Sequence, residues 1–79
     1  MSENVEKYAK CFMEAFPVQS KDLDTLSYHD IPEWDSIGHM NLVATLEEEF
    51  GIEMEIDDIT DISDFQKGKE VLSRYEIQF

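Results

Sequence analysis

Apolar residues recur along most of this chain with the period of a helix rather than of a strand. Val5, Tyr8, Ala9, Phe12, Met13 and Phe16 fall at i, i+3, i+4, i+7, i+8 and i+11, one stripe of an amphipathic helix. Pro17 ends it, because the residue before a proline is pushed out of the helical region. Cys11 falls off the stripe, so it is expected to be at least partly exposed, with a structural or neutral role. Residues 17–35 show no period and run longer than the ~12–15 residues usual for an unstructured connection. They must be pinned, and Leu23, Leu26, Ile31 and Trp34 are the expected pins, with a short helical turn around 22–26. A second helix is predicted from Asp35-Ser36 to about Phe50, stopped by Gly51. Ile52–Ile56 alternates apolar and polar but has no partner strand, so it reads as an extended loop, followed by a short helical turn at Asp57–Asp61. Ser63-Asp64-Phe65-Gln66 fits a capping box, with Ser63 as N-cap of the last helix. Phe65, Leu72 and Tyr75 share one face of that helix, with Val71 at its edge. Gly68 lies on the same face, giving either close packing or room beside the helix. The predicted fold is all-α: one domain over residues 1–79, a small bundle of three main helices plus a short fourth, with a long first loop.

The second helix carries two apolar stripes when residues 36–50 are wound at 100° each. One contains Leu42, Val43, Leu46 and Phe50. The other contains Ile37, Met40 and Ala44, with Glu47 alongside. Gly38, Asn41, Thr45, Glu48 and Glu49 fill the narrow polar sector. Periodicity leaves two arrangements open. Either one stripe is core and the other is a partner surface rimmed by Glu47 and Glu48, or the long loop and the outer helices bury both.

Composition narrows the function. The 79 residues are 42% hydrophobic and 32% charged, with six basic against nineteen acidic residues and a formal net charge of −13. Such a chain disfavours nucleic acid, which needs a basic footprint, and anionic membrane surfaces. It favours basic protein surfaces, steered in by the field. No apolar run approaches the ~18 residues of a membrane span. Met1-Ser2-Glu3-Asn4 lacks the features of a leader. Cys11 is the only cysteine, which makes a reducing cytoplasm the expected compartment.

Asp35 or Ser36 is suited to cap the second helix. A helix N-terminus also favours an anion bound or attached there. The residues Glu33-Trp34-Asp35-Ser36-Ile37-Gly38-His39-Met40-Asn41-Leu42-Val43, followed by Leu46-Glu47-Glu48-Glu49-Phe50-Gly51-Ile52, resemble an acyl carrier protein, a family with Asp-Ser-Leu or Asp-Ser-Ile at this helix start. Length, acidity, the long first loop and the last helix are similar too, so the resemblance spans nearly the whole chain. It implies a monomeric, non-catalytic carrier in which Ser36 bears 4′-phosphopantetheine, whose thiol holds acyl or aminoacyl groups as thioesters. It implies that Asp35 caps the helix and helps a phosphopantetheinyl transferase engage. It implies that Ile37, Met40, Ala44, Glu47 and Glu48 meet basic patches on loading and acyl-transferring enzymes. The acyl chain would shelter in an apolar gap between helices, which Gly68 would enlarge. Gly38 and Asn41 stand where fatty-acid-synthesis members usually carry acidic residues. Trp34 and Gly38-His39 look more like free-standing carriers of specialised pathways, such as modified sugars, polyketides or amino-acid transfer.

Other chemistry is less well supported. His39 reads first as a helix residue packing against the loop, and second as a neighbour of a phosphate on Ser36. His29 reads as a loop residue. Asp22-Leu23-Asp24 and Asp57-Asp58-Ile59 do not continue as calcium loops, so no dedicated metal site is expected. The alternative reading from a different class is an acidic helical inhibitor or immunity-type protein that plugs a basic enzyme, with Ser36 unmodified. On either reading the crowded carboxylates repel one another. Added salt or magnesium should therefore raise the melting temperature at neutral pH, measured by circular dichroism; a melting temperature indifferent to both would show the repulsion to be small.

Overall fold

Helix α1 (Glu3–Ala15) presents Tyr8, Phe12 and, just past its end, Phe16 to the interior, with exposures of 0–2%. The computed structural model describes residues 3–79; Met1 and Ser2, half of the tetrapeptide compared above with a leader, lie outside the described residues. A short 3-10 turn (Ser20–Thr25) follows, then α2 (Ser36–Phe50), α3 (Ile56–Asp61) and α4 (Phe65–Ser73). Among the described residues there is no strand, only an isolated antiparallel bridge between Ser27 and Asp64. The all-α expectation holds: α1, α2 and α4 form the bundle, with α3 short beside them.

One stripe of α2 is core and the other is not. Leu42, Val43 and Leu46 are buried, while Ile37 and Met40 are 75% and 52% exposed and Ala44 is also exposed. From α4 the core receives Phe65, Val71 and Leu72. Each such side chain contributes about 2 kcal/mol by leaving water. Gly51 closes α2 in the left-handed conformation, φ 65°, with its N–H bonded to the Glu47 carbonyl.

The long loop is pinned as its apolar residues imply: Leu23, Leu26 and Trp34 are buried and Ile31 is half-buried. Backbone bonds fasten it to the start of α4. Tyr28 N–H donates to the Ser63 carbonyl at 2.9 Å, and Phe65 N–H donates to the Leu26 carbonyl at 3.1 Å. Trp34 is the largest fully buried side chain. Its ring stacks on Phe16 at 5.1 Å and meets Phe12 edge-on at 5.6 Å.

Several expectations are corrected. Cys11 is 1% exposed rather than partly exposed. It borders the α1 stripe, three residues beyond Tyr8, and α2 covers it; its thiol donates to the Thr45 carbonyl at 3.9 Å. Asp64, not Ser63, caps α4, accepting from Lys67 N–H at 2.6 Å. The bridge to Ser27 holds Asp64 extended, so the helix starts one residue later than the capping-box reading, and Gln66 turns to Asp24 instead. Gly38 is not on an outer polar face but buried. A Cβ there would lie 1.8 Å from the Glu33 carbonyl oxygen and 3.2 Å from the Phe16 ring. Gly68 makes no room: the Tyr8 hydroxyl occupies it, 2.0 Å from where a Cβ would stand, and donates to the Phe65 carbonyl at 2.6 Å. The tail beyond α4, which shows no period, also packs, with Ile77 buried and the Phe79 ring 5.3 Å from Tyr8.

Gly38→Ala tests the close approach. Alanine gains about 1 kcal/mol in helix propensity, but the carbonyl of Glu33 is backbone and cannot step aside cheaply. A net loss of about 2 kcal/mol in a urea melt is expected; a stabilised variant would show that the loop yields freely.

Candidate functional site

The start of α2 is built by Asp35, Ser36 and the loop that precedes them. Asp35 is the N-cap, extended in backbone, and its carboxylate accepts from Gly38 N–H at 2.8 Å. Ser36 is therefore the first helical residue rather than the cap, and it is exposed. The Tyr28 hydroxyl stands 3.3 Å from Ser36 Oγ, a long contact between two exposed groups. The imidazole three residues further along α2 is committed elsewhere.

That imidazole is His39. The buried Trp34 donates its indole N–H to His39 Nδ1 at 2.9 Å. His39 Nε2 lies 2.8 Å from the Ile59 carbonyl oxygen, which only accepts, so Nε2 carries the proton. Both ring nitrogens are used, and the ring lies nearly parallel to the indole at 13°. His39 thus packs against the loop, as its first reading had it, and in addition ties α2 to α3. The second reading, an approach to a phosphate on Ser36, would require breaking one of these bonds. His29 is a loop residue, stacked on Tyr28 at 3.9 Å with φ 71°.

A cleft of about 370 Å³ opens beside Ser36. Helix α2 contributes Ser36, His39 and Met40, and Tyr28 closes the loop side. The opposite wall is Ile59 and Thr60 of α3 with Ile62 and Ser63 beyond it. Tyr28, Ile59, Thr60 and Ile62 were not picked out by sequence reasoning, and Ser63 was read only as a helix cap. The spacing of Ile59 and Ile62 is a faint sign of a shared face; Tyr28 gives none. Of the expected partner stripe, Ile37, Met40, Ala44 and Glu48 are exposed near this opening or farther along α2. Glu47 is half-buried, with its carboxylate accepting from Met54 N–H at 2.8 Å. Ile56, 79% exposed at the start of α3, adds an apolar side chain that the stripe did not include.

Helix α3 has no fully buried residue, so polar contacts matter to its position. Tyr75 donates its hydroxyl to Asp58 and accepts from Glu55 N–H at 2.9 Å. Arg74 bridges Asp58 at 2.5 Å and Asp61 at 3.1 Å. Among the described residues no group of three or more His, Cys, Asp or Glu side chains is placed to hold a metal ion, and no helix is long and apolar enough to cross a membrane. Comparison with family models, with curated proteins and with solved structures gives no match.

The Asp58 clamp is sensitive to pH at both ends. The Tyr75 hydroxyl, and after it Arg74, hold the Asp58 carboxyl below the usual carboxylate range, and Asp58 pushes the Tyr75 phenol above its usual range. The lowered carboxyl stabilises the fold fully above about pH 4, the unfolded value, and the gain disappears as pH falls through the lower folded value. The raised phenol acts oppositely, contributing below about pH 10 and losing its effect as pH rises through the folded value. The melting-temperature gap between wild type and Asp58→Asn should thus be widest at neutral pH and shrink in both acid and alkali. A gap constant from pH 2 to 11, the range scanned, would place the clamp outside the folding balance.

Proposed function

We propose that this protein is a carrier that holds acyl or aminoacyl groups on a 4′-phosphopantetheine arm joined to Ser36, and that it presents them to partner enzymes. The observation that carries the reading is the exposed Ser36 hydroxyl in the first turn of the fifteen-residue α2, beside the mouth of a cleft of about 370 Å³. The residues fit the group. Asp35 already occupies the cap, so Ser36 is free of that duty and its side chain points outward. A phosphodiester there meets the positive end of the helix dipole. The cleft walls offer apolar surface from Met40, Ile59 and Ile62 and hydroxyls from Tyr28, Thr60 and Ser63 to an arm of mixed polarity.

When attached, the group supplies a thiol for thioester formation. The chain's own residues present the serine, neutralise little of the charge around it and offer a docking face. Asp35 fixes the turn that presents Ser36. Ile37 and Met40, with Ala44 and Glu48 farther along α2, form an exposed apolar strip with acidic margins, suited to an apolar contact ringed by basic residues. That face and the −13 charge favour a phosphopantetheinyl transferase and cargo-handling enzymes with basic docking patches. His39 gives no catalysis in this reading, since neither nitrogen is free to take a proton from the serine.

Incubation with coenzyme A, magnesium and a phosphopantetheinyl transferase should add the mass of one arm, and Ser36→Ala should abolish the addition. The thiol count gives a second readout. Cys11 is buried, and burial first, then Glu49 and Glu14, push its thiol up to about 11. The unmodified native protein should therefore react slowly with a thiol reagent at neutral pH, and the modified protein should show a single fast thiol. A wild-type chain left unmodified by several transferases would overturn the proposal.

A further inference from the structure

We infer, building on the carrier reading, that the Trp34–His39–Ile59 bonds form a closed floor to the cleft and make His39 the residue that restricts cargo to short acyl or aminoacyl groups. The floor is a hydrogen-bonded chain, not a loose apolar seam. Trp34 is 0% exposed and gives its N–H to His39 Nδ1; His39 gives its Nε2 proton to the Ile59 carbonyl. Parting α2 from α3 at this point breaks the His39–Ile59 bond and leaves the half-buried His39 Nε2 proton facing an apolar guest, a loss that a few added methylenes must first offset. The space behind the floor is already filled. Phe12 and Phe16 pack on the indole, and the Tyr8 hydroxyl sits over Gly68, bonded to the Phe65 carbonyl. The interior gap expected to shelter a long chain is taken up by the protein's own side chains.

Cargo entering from Ser36 meets the open cleft alone. Its volume, about 370 Å³, must accommodate the arm as well. The hydroxyls of Tyr28, Thr60 and Ser63 line it beside the apolar Ile59 and Ile62. Such a lining suits a short group bearing a polar substituent. A long alkyl chain would leave the cleft and remain in water, gaining nothing from its distal carbons.

The test loads acetyl, butyryl, octanoyl and palmitoyl arms from the corresponding coenzyme A thioesters and measures thioester cleavage by hydroxylamine. A methylene that is buried shifts a sheltered-to-exposed equilibrium about fourfold. In the wild type the rate should change by less than about fourfold from butyryl to palmitoyl, one methylene's worth, and the Trp34 indole N–H resonance should not move. His39→Leu, which removes both bonds, should slow cleavage by up to about fourfold for each methylene it admits and shift the Tyr8 and Val71 amides. Should that variant fail to fold, Trp34→Phe removes the indole donor while keeping an aromatic ring and the His39–Ile59 bond, and it should show weaker protection of the same kind. Graded protection in the wild type, or a folded His39→Leu with the wild type's flat profile, would overturn the inference. Failure of the transferase step, visible in the intact mass before any cargo is compared, would remove the carrier reading and this inference with it.

Discussion

The indole N–H of Trp34 is the group on which the arrangement around Ser36 depends. Trp34 is wholly buried, and a buried N–H without an acceptor costs more than the bond it makes returns. Its acceptor is His39, one turn into α2, and His39 can accept at Nδ1 only by carrying its proton on Nε2. That proton in turn finds the Ile59 carbonyl. One buried ring thereby sets the loop against α1, fixes the tautomer of a histidine and positions α3, a helix that buries none of its own residues fully.

The same chain of bonds explains why the start of α2 can be both rigid and exposed. Gly38 lets the Glu33 carbonyl come closer to the helix than any side chain would permit, and Asp35 caps Gly38 N–H from the other side. The loop is held at its far end by backbone bonds to Ser63 and Phe65. Between these fastenings Ser36 projects into solvent without needing burial of its own. Rigidity comes from the backbone and from Trp34; accessibility comes from Asp35 doing the capping, which leaves the serine side chain a long contact with the exposed Tyr28 hydroxyl.

Periodicity made the three longer helices legible because each buries a stripe of its own residues: the α1 stripe, the Leu42–Val43–Leu46 face and the Gly51 stop are all local properties. Trp34 was legible as a pin for the same reason, being the largest apolar side chain in an unperiodic loop. Its hydrogen bond was not, because the path from Trp34 through His39 to Ile59 links residues brought together only by tertiary packing. Cys11 was misplaced because a stripe drawn from apolar spacing is narrower than the face that α2 covers. Asp64 displaced Ser63 as the cap because of a bridge to Ser27, thirty-seven residues earlier in the chain. The position of Ser36 at a helix start was legible; the cleft beside it was not, because its far wall comes from Ile59 and Ile62, whose spacing is too short a signal to reveal what they face.

An acidic surface and a small core set opposing demands on such a molecule. The charge that, under the carrier proposal, would attract basic partners also drives the chain apart, so the core cannot yield much volume without loss of stability. Tyr8 over Gly68 and the aromatic packing around Trp34 are consistent with that limit, since they fill space that would otherwise be available to a guest. Under the carrier proposal, function is pushed outward, to an open cleft and an exposed helix face, where groups would bind without competing with the contacts that keep the bundle folded. The polar fastenings of α3, to His39 and through Asp58 to Arg74 and Tyr75, hold that outer wall in place although only Ile59 of the helix packs against the core from a partly buried position.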